Sequence, residues 1–389
     1  NTNKYDDIFN ELGIYELVEF LDSFNDKGND KIQEIVQQFG RQSSFGKEDP
    51  IIHFYEGFLN QYSKTQRATR GVYYTPDSVV KYIVESIDVL LREKFKINDG
   101  LASTDTWEDF FLKNKLEPSH FFERGSWGLI KKFNFINILD PCVGTGTFLK
   151  YVIEKIHSTM KEKWKNLDLK EQKDKWNDYV DNNLIERIFG FEVMVAPYTV
   201  CHMKLGLILK NTGYRFKKNQ RLNIFLNNSL EAPSKSEDLT LFKNVIAEEK
   251  ILASKIVNRA PITIVLGNPP YKKISSNMNS WIDGILKGKE LNKINYYSVD
   301  NIPIAEKKVW LQDDYVKFFA LAHLLIEKNK FGIISFISNS SFMINPTFRG
   351  LRKNLINSFN KIYLYNLNGN LKINQSLNKN VDKNVFDIK

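Results

Sequence analysis

The segment Asn268-Pro269-Pro270-Tyr271 carries the most specific chemistry in this chain. It follows an apolar run, Ile262 to Leu266. Two successive prolines fix φ and stiffen the bend. A stiff bend aims the Asn268 amide and the neighbouring carbonyl oxygens at one point, with a tyrosine ring beside them. Such a group can accept hydrogen bonds from a flat, amine-bearing substrate.

A second cluster lies upstream, Asp140-Pro141-Cys142-Val143-Gly144-Thr145-Gly146-Thr147-Phe148. Glycines let a backbone pass close to a ligand. A helix start just beyond them favours a negative or polar group. The absence of a Gly-Lys-Ser/Thr ending excludes a P-loop. A third candidate is Glu192 at the end of an apolar strand, where a carboxylate can accept both hydroxyls of a ribose. No metal is expected.

These residues must be positioned by alternating elements. Phe133 to Leu139 reads as a strand that runs into the glycine turn, and Phe148 to about Lys161 as a helix. Ile188–Val193, Arg221–Leu226, Pro261–Leu266 and Gly332–Ile337 read as further strands, with helices between them. That alternation predicts an α/β doubly wound, mostly parallel sheet. Ligands bind such sheets at the carboxyl ends of the strands, which is where the clusters fall. Thr75-Pro76 predicts a helix start, with the hydroxyl as N-cap and the proline at the first helical position.

The remaining sequence sets limits. The chain has 389 residues, 42% hydrophobic, enough for a large core with an attached module. Its 55 basic against 46 acidic residues give a formal charge of +9, which suits a phosphate-rich partner. Two cysteines cannot form a disulfide framework or a zinc cage. No run of about 18 apolar residues predicts a membrane span, and a cytoplasmic location is expected.

The pattern Asp-Pro-x-x-Gly-x-Gly-x-Phe followed by Asn-Pro-Pro-Tyr resembles the amino-methyltransferases of DNA, specifically the N6-adenine class. The order of the two motifs is similar to the gamma subgroup. Tyr73-Tyr74-Thr75-Pro76 resembles that subgroup's N-terminal cofactor motif, and His53 to Glu56 ahead of it resembles the single-polypeptide type ISP restriction–modification enzymes. The resemblance implies a Rossmann-like methyltransferase sheet, S-adenosylmethionine as cofactor and duplex DNA as partner. It also implies fused nuclease, ATPase-motor and target-recognition domains in the full-length parent, all lying outside this chain. It assigns Thr75, Asp140, Pro141, Gly144, Gly146, Phe148, Glu192 and Asn228 to the cofactor. It assigns Asn268, Pro269, Pro270 and Tyr271 to catalysis on a flipped base. Asn-Pro-Pro-Tyr also occurs in methyltransferases acting on protein glutamine or RNA guanine, and a silent cofactor- and DNA-binding coupling module is the other alternative.

The domain expectations follow. Residues 1–68 are expected to form a helical, coupler-like module, with helices over 5–24, 29–39 and 50–66. Residues 69–389 are expected to form the methyltransferase domain. The charged stretch 162–183 reads as an inserted helix pair, which explains the long spacing from Asp140 to Glu192. Residues 272–310 read as a mobile DNA-facing segment. Phe342 is a candidate second wall for a target base, and Arg349, Arg352 and Lys353 are candidate phosphate contacts.

Overall fold

A computed structural model describes residues 75–217, 220–234, 245–271, 275, 277–290 and 294–367. The expected N-terminal module, its three helices and Gly71 to Tyr74 lie outside the described residues.

Nine helices and seven strands are used below. In chain order they are α1 (Asp77–Glu93), α2 (Trp107–Asn114), β1 (Ile138–Asp140), α3 (Thr147–Lys163), α4 (Leu169–Tyr179), β2 (Ile188–Glu192), α5 (Val195–Asn211), β3 (Ile224–Leu226), α6 (Val245–Arg259), β4 (Ile264–Gly267), α7 (Ser280–Leu286), β5 (Ser298–Val299), β6 (Ile302–Pro303), α8 (Asp314–Asn329), β7 (Ile333–Phe336) and α9 (Arg349–Ser358).

Five strands form one sheet in the order β3-β2-β1-β4-β7. Every pairing is parallel, as in Leu139 opposite Phe189 on one side and Val265 on the other. The alternating strands and helices fold as the sequence predicts. Ile264, Val265 and Leu266 are fully buried, as expected for a parallel strand covered on both faces. The chain steps outward from β1 to β2 and β3, then returns to add β4 on the opposite side. The topological switch point therefore lies between β1 and β4, where α/β sheets open a crevice for ligands.

Helices close both faces. The apolar stripe of α1, Val80, Ile83, Val84, Ile87 and Leu91, packs on α3. Lys155 of α3 pairs with Glu85 at 2.5 Å and with the buried Asp88 at 3.5 Å. Thr106 and Asp109 form a reciprocal capping box that starts α2. Trp107, Phe110 and Phe111 of that helix pack around Phe135, just ahead of β1.

Two expectations change. Thr75 does not cap α1. Pro76 is the residue before the helix, no side chain caps it, and the Thr75 hydroxyl is engaged elsewhere. The stretch 162–183 is not a helix pair. Its start completes α3, and a single helix, α4, follows, capped by the Asp168 side chain on Lys170 N and Glu171 N. Trp176 anchors α4 through Nε1 to Thr212 Oγ1 at 2.8 Å, and a π-helical turn, Val180–Leu184, leads on toward β2.

The described residues of 272–310 are packed. Asn279 caps α7 through Ile282 N. Ile282, Leu286, Ile294 and Tyr296 are buried in a second core, and Tyr296 Oη lies 3.1 Å from His323 Nδ1. Its anchoring residues sit on short, irregular elements, so they leave no periodic signal in sequence.

Candidate active site

The switch point brings two loops together. Asp140 ends β1 and Gly267 ends β4, the residue before Asn268. A methyl group on Gly267 would lie 2.8 Å from Asp140 Oδ1 and 3.3 Å from Cys142 Sγ. Only glycine lets the β4 loop approach the β1 loop this closely. Sequence reasoning passed over Gly267, and its one signal is its place directly before Asn-Pro-Pro.

The β4 loop is pinned from two sides. Asn268 Nδ2 donates to Thr75 Oγ1 at 2.9 Å, and Tyr271 Oη donates to Asn268 Oδ1 at 2.7 Å. These bonds fix which end of the amide faces where. An amide oxygen has two lone pairs, so Oδ1 keeps one acceptor position beyond Tyr271. Pro269 and Pro270 hold the bend between them.

The cofactor-assigned residues gather along the strand ends. Glu192 ends β2 and is 8% exposed. Its carboxylate accepts from Gly144 N at 3.0 Å, Val193 N at 2.9 Å and Met194 N at 2.8 Å. Gly144 and Gly146 adopt φ of +54° and +82°, a region that favours glycine. A side chain at Gly146 would strike Cys201 Sγ of α5 at 2.7 Å, whereas one at Gly144 would point into open space. Gly146 therefore seats a helix, and Gly144 leaves room for a ligand.

Asp140 Oδ1 accepts from Cys142 N at 3.1 Å, while its buried Oδ2 has no hydrogen-bond partner among the described residues. Burial pushes the Asp140 carboxyl up to about 7. Pro141 O accepts from Ser229 Oγ, which ties the β1 loop to the loop after β3. Asn228, in that loop, donates to Glu231 Oε1 at 3.2 Å and to Asn277 Oδ1 at 2.9 Å. Phe148, also assigned to the cofactor, is 4% exposed and packs in the core at the start of α3.

On the far side of Tyr271 lies a cavity of about 350 Å³. Tyr271, Trp310, Tyr315 and Phe348 give it aromatic walls, and Asp313 and Asn339 add polar groups. The Tyr271 and Tyr315 rings are 6.3 Å apart at 47°, and Tyr315 and Phe348 are 6.2 Å apart at 49°. Phe342 is not on this wall. It is buried against Phe319 at 5.7 Å. The four aromatic wall residues come from four separate segments, so no local pattern marks them.

Some expected surface charges are structural. Arg352 Nη1 donates to the carbonyls of Phe342 and Asn345 at 2.8 and 2.9 Å, and Arg349 faces Glu306 at 3.3 Å. Glu249 is buried and accepts from Arg221 Nη1 at 2.6 Å and from Leu226 N at 3.1 Å. It therefore holds β3 in place. Among the described residues no His, Cys, Asp and Glu cluster could hold a metal ion, and no helix is long and apolar enough to cross a membrane.

The parallel sheet and its helices match an α/β methyltransferase fold. Residues 186–373 match the family model of the Eco57I restriction-modification methylase, and residues 46–106 match that of the N-6 DNA Methylase. Both models describe methylases, one of restriction–modification type and one of DNA N-6 type, and neither match reaches half of the chain. None of the curated proteins matches it.

Solved structures share the fold. One is a DrdV–DNA complex (24% identity, TM-score 0.53, covering 80% of this chain and 24% of that one). Another is a nuclease-deletion mutant of the type ISP restriction-modification enzyme LlaGI with a DNA substrate mimic (20%, 0.54, 92% and 28%). A third is the ATP-dependent type ISP restriction-modification enzyme LlaBIII bound to DNA (21%, 0.54, 80% and 18%). At these identities the likeness is one of fold, and the chain spans only 18% to 28% of their length.

Proposed function

We propose that this chain transfers a methyl group from S-adenosylmethionine to the N6 amine of an adenine flipped out of duplex DNA, as the modification part of a restriction–modification protein. One observation carries the reading. The Asn268 amide, in the loop after β4, is hydrogen-bonded to Thr75 at one end and at the other to Tyr271, whose ring lines an aromatic cavity.

The cofactor edge suits S-adenosylmethionine. Asp140 offers an unpaired carboxylate oxygen, Gly144 opens space, and Glu192 and Asn228 stand at the strand ends in reach of a ribose and a purine. Thr75 and Pro141 complete that side. When bound, the cofactor supplies an activated methyl group. The chain's own residues do the rest.

An adenine amine is a poor nucleophile because its lone pair is delocalised into the ring. Asn268 Oδ1 and the Pro269 carbonyl accept its two N–H bonds and draw the nitrogen toward tetrahedral geometry. Preorganised acceptors and positioning provide the acceleration. Flipping the base costs a few kcal/mol, and stacking on Tyr271 offsets about 1–3 kcal/mol of it. The whole protein is read as a larger polypeptide with nuclease, motor and target-recognition parts, as the LlaGI and LlaBIII resemblance suggests.

The test is incubation with methyl-labelled cofactor and separate DNA, RNA and protein acceptors. Label in N6-methyladenine of DNA supports the reading. Label confined to RNA guanine or protein glutamine, or none on any acceptor, overturns it.

A further inference from the structure

Beyond the Asn268–Tyr271 bend, Ser275, Asn277 and Asn279 are held by a polar relay. Lys317 of α8 is fully buried, and its Nζ donates to Ser275 Oγ at 2.8 Å and to Asn277 O at 2.7 Å. Asp314 Oδ1, one turn earlier, accepts from Ser275 Oγ and from Asn277 Nδ2, the latter at 3.1 Å. Asn277 then reaches across with Oδ1 to take the Asn228 Nδ2 hydrogen at 2.9 Å. Asn279 adds a parallel tie, donating to Leu230 O at 2.8 Å.

We propose that Asn277 is a positioning residue: it sets the orientation of Asn228 toward the cofactor's purine and ties that loop to the start of α8, whose Asp313 and Tyr315 line the cavity beside Tyr271. The inference rests on the cofactor reading above. By occupying Nδ2, Asn277 and Glu231 turn the Asn228 amide so that its oxygen is the free end. That oxygen already takes Leu230 N at 3.1 Å and keeps a second lone pair. An outward acceptor suits the amino group of adenine and disfavours a carbonyl at the same position. A buried charge is costly unless fully bonded, and a satisfied buried network rigidifies what it touches. Lys317 and Asp314 thus hold Ser275 and Asn277 beside the start of α8.

The test compares calorimetric binding of S-adenosylhomocysteine and S-inosylhomocysteine, which differ at the amino position. Wild type is expected to prefer the adenosine compound by about tenfold, the order of one hydrogen bond. Asn277→Ala and Asn277→Ser should cut that preference to about threefold or less, while the ligand-free melting temperature reports folding. If only the first variant fails to fold, the second decides. Asn228→Ala should erase the preference. Wild-type preference in both Asn277 variants, alongside its loss in Asn228→Ala, overturns this inference and leaves the cofactor reading intact. No binding of either compound by wild type, or an unchanged preference in Asn228→Ala, sinks the cofactor assignment and the inference together.

Discussion

Thr75 and Asn268 are hydrogen-bonded at 2.9 Å although 193 residues separate them. The bond joins the residue just ahead of α1 to the catalytic bend after β4. It fixes the amide so that Oδ1, not Nδ2, is turned toward Tyr271. Thr75→Val keeps the shape and removes the acceptor. Turnover is expected to fall about tenfold, the order of one lost hydrogen bond, while Thr75→Ser retains it. Single-turnover methylation rates check this, and equal rates for Val and wild type would overturn it.

Asn268→Ala removes the acceptor aimed at the target amine. Losing one preorganised hydrogen-bonding group at a reacting centre costs about 10²–10³ in rate. Cofactor affinity should stay within about twofold, since the Asn268 side chain is not among the residues assigned to the cofactor. Calorimetry and a methylation assay on the same preparation separate the two effects.

Gly267→Ala places a methyl 2.8 Å from Asp140 Oδ1. One of the two loops must move, at a cost of about 1–3 kcal/mol. The expected result is a lower melting temperature together with loss of methyl transfer, since the same displacement parts the catalytic bend from the cofactor edge. A variant with full activity would show that the two loops need not meet so closely.

Asp140 gives a pH dependence. Burial holds its carboxyl near 7, against an ordinary value of 3.8. Between those values the folded state binds more protons than the unfolded one, so stability falls as pH rises across that window, and the cost is complete above 7. Asp140→Asn removes this titration. Without cofactor, its melting temperature should exceed that of wild type at pH 8, with the gap narrowing toward pH 5. Its affinity for the cofactor should fall at both values. Parallel melting curves across the range would refute the assignment.

Tyr271 contributes a ring and a hydroxyl that can be separated. Tyr271→Phe keeps the wall of the cavity and loses only the bond to Asn268 Oδ1, so activity should stay within a few-fold. Tyr271→Ala removes the stacking surface and should weaken productive base binding by about 1–3 kcal/mol. A reversed order would place the target base elsewhere.

Much of this was legible in the residues themselves. Short apolar runs alternating with helical periodicity define the parallel sheet, because strands buried on both faces must be apolar along their length. The order of Asp140–Gly146 and Asn268–Tyr271 along the chain marks the two loops, because glycine and proline impose local backbone geometry wherever they stand. The tertiary structure alone decided what those loops meet. The Thr75 hydroxyl turns from its helix to Asn268, Gly267 admits Asp140, and Tyr315 and Phe348 rather than Phe342 face Tyr271. Each pairing joins residues far apart in sequence, brought together where β4 settles beside β1. Sequence spacing records propensities within a turn or strand, and it carries no distance between elements until the sheet order is set.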